Sequence, residues 1–87
     1  MKLWGINMES DWNAIAANIL KAEIKRRGLT YDQLHEKLLA IGINETTNSI
    51  KVKISRGAFQ FAFFLQCAAA IGIKTLRLDE LTVNENE

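Results

Sequence analysis

Apolar residues recur along most of this chain at helical spacing, in segments that each end at a glycine. The four glycines that close these segments are Gly28, Gly42, Gly57 and Gly72. Glycine after the last apolar turn is the usual left-handed end of a helix. The pattern therefore predicts four helices, followed by a short helix or a strand over Thr75–Val83.

The first helix is predicted to start from a cap at Ser10 or Asp11 and to run to about Arg27. Its apolar residues fall along one broad face. They are Trp12, Ile15, Ala16, Ile19, Leu20 and Ile24. Glu23 lies inside this arc and needs a partner there, and Arg27, one turn later, is the expected one.

The second helix has the clearest start in the chain. Thr30 and Gln33 match a T-x-x-Q capping box, and Leu29 precedes it at the position of a hydrophobic staple with Leu34. A buried stripe is then expected to continue until Gly42 stops the helix. The residues of that stripe are Leu34, Leu38 and Ile41.

The third segment has two interpretations. Asn44 or Thr46 can cap a helix that ends at Gly57, with Ile50 and Ile54 paired one turn apart and facing inward. Residues 49–55 also alternate strictly between polar and apolar, which is the period of a half-buried strand. The helix is favoured because a strand here needs a partner strand, and the only candidates lie near the termini.

The fourth segment, predicted as a helix over Phe59–Ile71, is apolar nearly all round. Its four phenylalanines spread around the helix axis, so one neighbouring surface cannot bury them all. Either the bundle wraps this helix or part of it meets another subunit, and we predict a homodimer in which Trp4, Leu76 and Leu78 join the interface. No membrane span is expected, because residues 58–73 fall short of the roughly 20 that a bilayer requires.

Length and composition favour one compact domain. The chain has 87 residues, 48% of them hydrophobic, and no proline, which is typical of a small, mostly helical fold. We predict an N-terminal extension over 1–9, a domain over 10–81 and an acidic, frayed tail over 82–87. The net charge is +1. Residues 1–78 are nevertheless mildly basic, because four of the ten acids come after them.

Catalytic and metal chemistry are not indicated. His35 and Cys67 are the only histidine and the only cysteine, so a site of three or four metal ligands of these types cannot form. Neither residue has an evident orienting partner, and no glycine-rich phosphate loop is present. We therefore expect no enzyme activity and no cofactor. A single cysteine also favours a reducing, cytoplasmic location, with Cys67 as a small core residue.

The chain resembles two families in overlapping motifs. G-L-T-x-x-Q-L-x-x-K-L, then I-S-R-G, A-A-x-I-G-I and L-D-E-L, resemble the phage-repressor-like helix-turn-helix domains over about residues 12–81. K-I-S-R-G-x-F followed by F-x-L-Q is similar to a short bacterial family of unknown function related to that fold. The resemblance implies an all-α, single-domain bundle of about five short helices, with Asn44–Ser55 as the recognition helix.

Some positions depart from the repressor pattern. His35 replaces a small alanine of the second helix, and the turn over 40–44 is about three residues longer. Ile24 and Ser55 stand where such domains often pair an arginine with a glutamate. An apolar contact can replace an ion pair at little cost, so the scaffold is expected to survive the change.

The expected function is that of a small DNA-binding transcriptional regulator that occupies an operator on double-stranded DNA, as a dimer. Outward residues of a third helix suit base edges: asparagine reads adenine, lysine reads guanine and valine suits the thymine methyl. The expected DNA-contacting residues are Gln33, Asn48, Lys51, Val52, Lys53, Ser55 and Arg56. Gln33, Lys53 and Arg56 among them are assigned to phosphates. The alternative is a protein-interaction module that binds no DNA and uses the apolar surface of residues 59–71.

Overall fold

The computed structural model describes residues 8–76 and 78, with side chains from Trp12 onward. It contains α1 (Met8–Arg26), α2 (Tyr31–Ala40), α3 (Thr47–Arg56) and α4 (Phe61–Ile71). These described residues form no β-strand, so the all-α class is confirmed and the strand interpretation of residues 49–55 is wrong. The element predicted over Thr75–Val83 falls largely outside the described residues, and so do Trp4 and most of the two predicted terminal segments.

The helix boundaries differ from the predicted ones by up to four residues. α1 begins at Met8, before either predicted cap, and α4 begins at Phe61 rather than Phe59. α3 is shorter than the predicted Asn44–Ser55 at its start, because Thr46 is the residue that caps it. Helix ends commonly vary by this amount, since the terminal turns lack part of their hydrogen bonding.

The core lies where all four helices meet. Its buried members come from every helix: Leu20, Ile24, Leu34, Leu38, Ile50, Ile54, Phe63, Phe64 and Cys67. On α1 the most buried positions near the core are Ala17, Leu20 and Ile24, so the inward face is narrower than predicted. Trp12 is 43% exposed and lies off that face.

The α2 capping box is confirmed. Gln33 N–H donates to Thr30 Oγ1 over 3.0 Å, and Thr30 N–H donates to Gln33 Oε1 over 2.8 Å. Leu34 and Leu38 are fully buried, but Ile41 is 47% exposed, so the prediction that it continues the stripe is wrong. The helix ends at Ala40, and Ile41 therefore no longer follows the helical period that would turn it inward.

Arg27 joins the end of α1 to the end of α4. Its guanidinium donates to the Glu23 carboxylate over 2.6 Å, which confirms the predicted pair, and to the Ile71 carbonyl oxygen over 3.0 Å. Glu23 is almost fully buried and also forms an ion pair with Arg26 at 3.1 Å. Burial raises the pKa of Glu23, but the hydrogen bonds from Arg27 and Arg26 outweigh this and the net pKa is lowered.

Gly57 sets the approach of α3 to α1. Its φ of 70° is left-handed, and a Cβ built on it comes within 1.8 Å of the Asn13 carbonyl oxygen. Only glycine therefore fits this contact without displacing backbone. Among the described residues, no helix is both long enough and apolar enough to cross a membrane.

Candidate functional site

The third helix is held at both ends. The Thr46 hydroxyl accepts a hydrogen bond from Ser49 N–H over 3.0 Å, which satisfies one of the free amides of the first turn. Gly57 ends the helix in the left-handed conformation and donates its N–H to the Lys53 carbonyl over 3.1 Å. The ends of α3 are therefore fixed by local hydrogen bonds and by the close contact with α1.

One side of α3 is apolar and buried, and the opposite side is exposed and mostly polar. Ile50 and Ile54 are fully buried, as predicted. The opposite side presents five of the predicted DNA-contacting residues to solvent: Asn48, Lys51, Val52, Ser55 and Arg56. We call these five residues the outer face of α3. They come from a helix that contains no acidic residue.

Part of the outer face forms a shallow depression. Lys51, Val52, Ser55 and Arg56 line it, and its volume is about 260 Å³. Val52 is 40% exposed and places an apolar patch between the two cations. Within the described part of the chain, neither Lys51 nor Arg56 takes part in a salt bridge.

Lys53 lies apart from the outer face. Its ammonium group forms a salt bridge with the Glu45 carboxylate and sits 5.0 Å from the centre of the Phe63 ring, within range of a cation–π interaction. The side chain therefore turns toward the α2–α3 connection and the start of α4. Its charge is already matched inside the fold.

Glu45 is the centre of this small polar cluster. Its carboxylate accepts a hydrogen bond from Ser49 Oγ over 2.7 Å in addition to the Lys53 contact. These two donors hold the pKa of Glu45 below its ordinary value, and they outweigh the opposing effect of burial. His35 Nδ1 donates to the Glu45 backbone carbonyl over 2.6 Å. The cluster thus connects α2, the α2–α3 connection and α3.

Gln33 is also separated from the outer face by its hydrogen bonding. Its side-chain oxygen is used in the capping box with Thr30, although the residue itself remains exposed. Its amide NH₂ group is the part left for an external contact. Of the seven predicted contact residues, five therefore lie together on α3, while Gln33 and Lys53 have structural partners.

Cys67 occupies the core, as predicted, and is fully buried. Burial chiefly, with a contribution from the Glu45 charge, raises the pKa of its thiol to about 12. A thiol with such a pKa is almost wholly protonated at neutral pH and is a poor nucleophile. No group of three or more potential metal ligands occurs among the described side chains.

A family model matches most of the chain. The match runs over residues 12–76, and the family is described as a domain of unknown function (DUF6471). The chain belongs to this family. No curated protein matches the chain, and no solved structure matches it.

The matched segment reaches from α1 to the residues just after α4. It therefore includes the outer face of α3 and the polar cluster around Glu45. The match bears out the coarser part of the expected resemblance, which is that the chain is similar to a family of unknown function. A description of this kind carries no activity, so any function has to be argued from the side chains.

Glu45, His35 and Phe63 are the parts of this site that sequence reasoning did not find. Glu45 and Ser49 are four residues apart, a spacing that often brings side chains together, and this signal was available. Lys53 lies eight residues from Glu45, and Glu45 precedes the first helical residue of α3. Their contact depends on how the connection bends, which the local pattern does not specify.

Proposed function

We propose that this protein is a small DNA-binding transcriptional regulator that contacts double-stranded DNA through the outer face of α3. The observation that carries the proposal is the charge of that face. Lys51 and Arg56 are exposed on a helix without acidic residues, and neither is paired in a salt bridge within residues 12–76. Free cations on one exposed face are the usual footprint of phosphate binding.

The side chains of the outer face supply the groups that base recognition uses. Asn48 can form two hydrogen bonds with adenine, and Lys51 can donate to guanine. Val52 offers an apolar contact for the thymine methyl, and Ser55 can bond to several base edges. Arg56, at the end of the helix, suits a phosphate.

The dimensions and rigidity of α3 support the same role. A helix of ten residues is about 15 Å long and fits the major groove of B-DNA. The Thr46 cap, the Gly57 contact and the Glu45–Lys53 pair fix its ends and its inner side. A rigid recognition helix loses little conformational freedom on binding, so less of the contact energy is offset by lost entropy.

The succession of a capped α2 and then α3 also resembles the helix-turn-helix of phage-repressor-like domains. In such a regulator the protein occupies an operator and thereby blocks or recruits polymerase. This mechanism needs no catalytic group and no cofactor. It places the protein in the compartment that holds the DNA, which is the cytoplasm in a bacterial cell.

The test is fluorescence anisotropy of a labelled random-sequence duplex titrated with protein at two salt concentrations. Nonspecific binding that neutralises several phosphates falls by orders of magnitude between about 50 and 200 mM salt. Replacing Lys51 and Arg56 together by alanine is expected to weaken binding and to reduce the slope of log K against log salt by up to about 2, since on a duplex without an operator both cations can contact phosphates and each such contact contributes about 0.9.

The matched control replaces Lys37 and Lys74, two exposed lysines outside α3, by alanine. It removes the same charge and is expected to leave most of the affinity and the slope intact. Lys53 is unsuitable for this purpose, because its loss leaves Glu45 without its ionic partner. Equal effects of the two double variants would contradict a specific role of the outer face.

The second candidate is a protein-interaction module that binds no DNA. It is favoured by the exposure of the apolar α4 side chains, since Phe61 is 64% and Leu65 is 51% exposed. Exposed apolar patches of this kind often mark contacts between proteins. Folded protein that does not bind the duplex even at low salt would support this candidate over the regulator.

A further inference from the structure

The outer side of α4 is an apolar stripe. Phe61, Leu65 and Ala69 follow one another at intervals of four residues, and all three are exposed. α4 contains no charged residue, and Gln66 is its only polar one. A helix that is apolar on every side is normally covered on every side, whereas the described residues leave this stripe open.

The stripe continues into a groove beside α1. This groove has a volume of about 210 Å³ and is lined by Ala16 and Ile19 of α1, by phenylalanines 59, 61 and 64, and by Leu76 and Leu78. Trp12, one helical turn before Ala16, is also exposed. The apolar surface is therefore larger than the α4 stripe alone.

We propose that two copies of this chain associate through this surface, with their α4 helices antiparallel and the two-fold axis at Leu65. The side-chain sizes carry the argument. In a two-fold interface, residue i contacts residue j and residue j contacts residue i. With the axis at Leu65, the large Phe61 of each copy faces the small Ala69 of the other, so both ends of the contact are filled alike.

A parallel pairing of the same helices fits much less well. Phe61 then meets Phe61 and Ala69 meets Ala69, which leaves a bulky end and an empty end. Antiparallel α4 helices also bring the positive end of one helix dipole near the negative end of the other. Lys74 lines a pocket together with Phe61 and Leu65, so this charge borders the stripe on each copy.

The area that a stable dimer interface needs indicates that the groove takes part in it together with the α4 stripe. A stable interface of standard size buries roughly 800 Å² on each partner, more than the three stripe residues supply. Leu76 and Leu78 of the groove, at 39% and 50% exposure, and Trp12 of α1, at 43%, are available to extend the contact on both copies. This proposal does not depend on whether α3 binds DNA.

The first test is the concentration dependence of mass. Sedimentation equilibrium from about 1 to 200 µM spans the dissociation constants of weak and moderate dimers. We expect a transition toward twice the 9.8 kDa monomer mass. Leu65→Glu places two like charges at the axis and is expected to remain monomeric. Leu39→Glu is the matched control, since Leu39 is similarly exposed at 46% but lies on α2, and it is expected to dimerise normally.

Circular dichroism shows whether each variant remains folded. Both are expected to do so, because Leu65 and Leu39 are exposed in the wild type. Wild-type protein that stays monomeric throughout the range would overturn the proposal, and so would dimerisation of Leu65→Glu at wild-type strength. A monomeric wild type would also indicate that residues outside the described segment, or another protein, cover the stripe.

The second test fixes the orientation by disulfide trapping. Leu65→Cys lies at the axis and is expected to form a disulfide-linked dimer under mild oxidation. Ala69→Cys is expected not to do so, because the two copies are separated by the rise of eight residues, about 12 Å, and a disulfide needs α-carbons within about 7 Å. Trapping of both variants with equal efficiency would indicate a parallel pair and overturn the antiparallel assignment.

Discussion

The α-carbon of Gly57 lies so close to α1 that a Cβ built on it comes within 1.8 Å of the Asn13 carbonyl oxygen. Gly57→Ala is therefore expected to lower the free energy of unfolding by at least about 3 kcal/mol, through the clash and the left-handed φ together. Urea denaturation measures the change. Gly42→Ala is the matched control: its φ is 87° but nothing lies near its Cβ position, so only about 1–2 kcal/mol of strain is expected.

Arg27 and Arg26 offer a second matched pair, because both contact the Glu23 carboxylate. The Arg27 side chain is 28% exposed and the Arg26 side chain 55% exposed. Arg27→Ala leaves the buried Glu23 with a solvent-screened partner and frees the Ile71 carbonyl, so a loss of about 2–3 kcal/mol is expected. Arg26→Ala is expected to cost below about 0.5 kcal/mol. Similar thermal denaturation curves for the two variants would refute the assigned role of Arg27.

The ion pair of Glu45 predicts a specific dependence of stability on pH. Its pKa in the folded protein lies below the ordinary value of 4.5. The stabilisation is therefore fully present above the unfolded pKa and is lost as the pH falls through the folded pKa. Glu23 titrates in the same direction and adds to the loss.

The variant Glu45→Gln separates the contribution of Glu45 to this pH dependence from that of Glu23. The variant is expected to be less stable by about 1 kcal/mol at pH 7, a modest value because Lys53 is partly exposed and its charge is screened. Its urea midpoint is expected to change less than that of the wild type between pH 7 and pH 3. Equal changes of the urea midpoint with pH in the two proteins would show that the charge of Glu45 does not stabilise the fold.

Cys67 is expected to be unreactive in the folded protein. Full burial and a thiol pKa of about 12 leave almost no accessible thiolate at pH 8. A thiol-specific reagent should label the native protein only through its small unfolded population, and at full speed in denaturant. Rapid labelling of native protein would place Cys67 outside the core.

The local features of this fold were predictable because each depends on neighbours in sequence. The capping box of Thr30 and Gln33, the glycines at helix ends and the Glu23–Arg27 pair all lie within one or two turns. The burial of Ile50 and Ile54 and the exposure of the outer face of α3 followed from the helical period alone. Helix was favoured over strand for residues 49–55, because a strand there needs a partner strand and the only candidates lie near the termini.

The features that were missed depend on how the helices meet. Ile41 follows the apolar spacing but lies past the last helical residue of α2, and Lys53 turns inward because Glu45 and Phe63 lie beside it. Arg27 reaches the Ile71 carbonyl 44 residues away, a distance that no local pattern encodes. The function and the partner of the α4 stripe depend on molecules outside the chain.

The bond from Arg27 to the end of α4 also bears on how long the protein stays folded. It joins residues 44 apart in sequence, so we expect it to form late, after α4 has packed against the other helices. Interactions that are absent from the folding transition state slow unfolding without accelerating folding. We therefore expect Arg27 to affect the rate of unfolding of this protein more than its rate of folding.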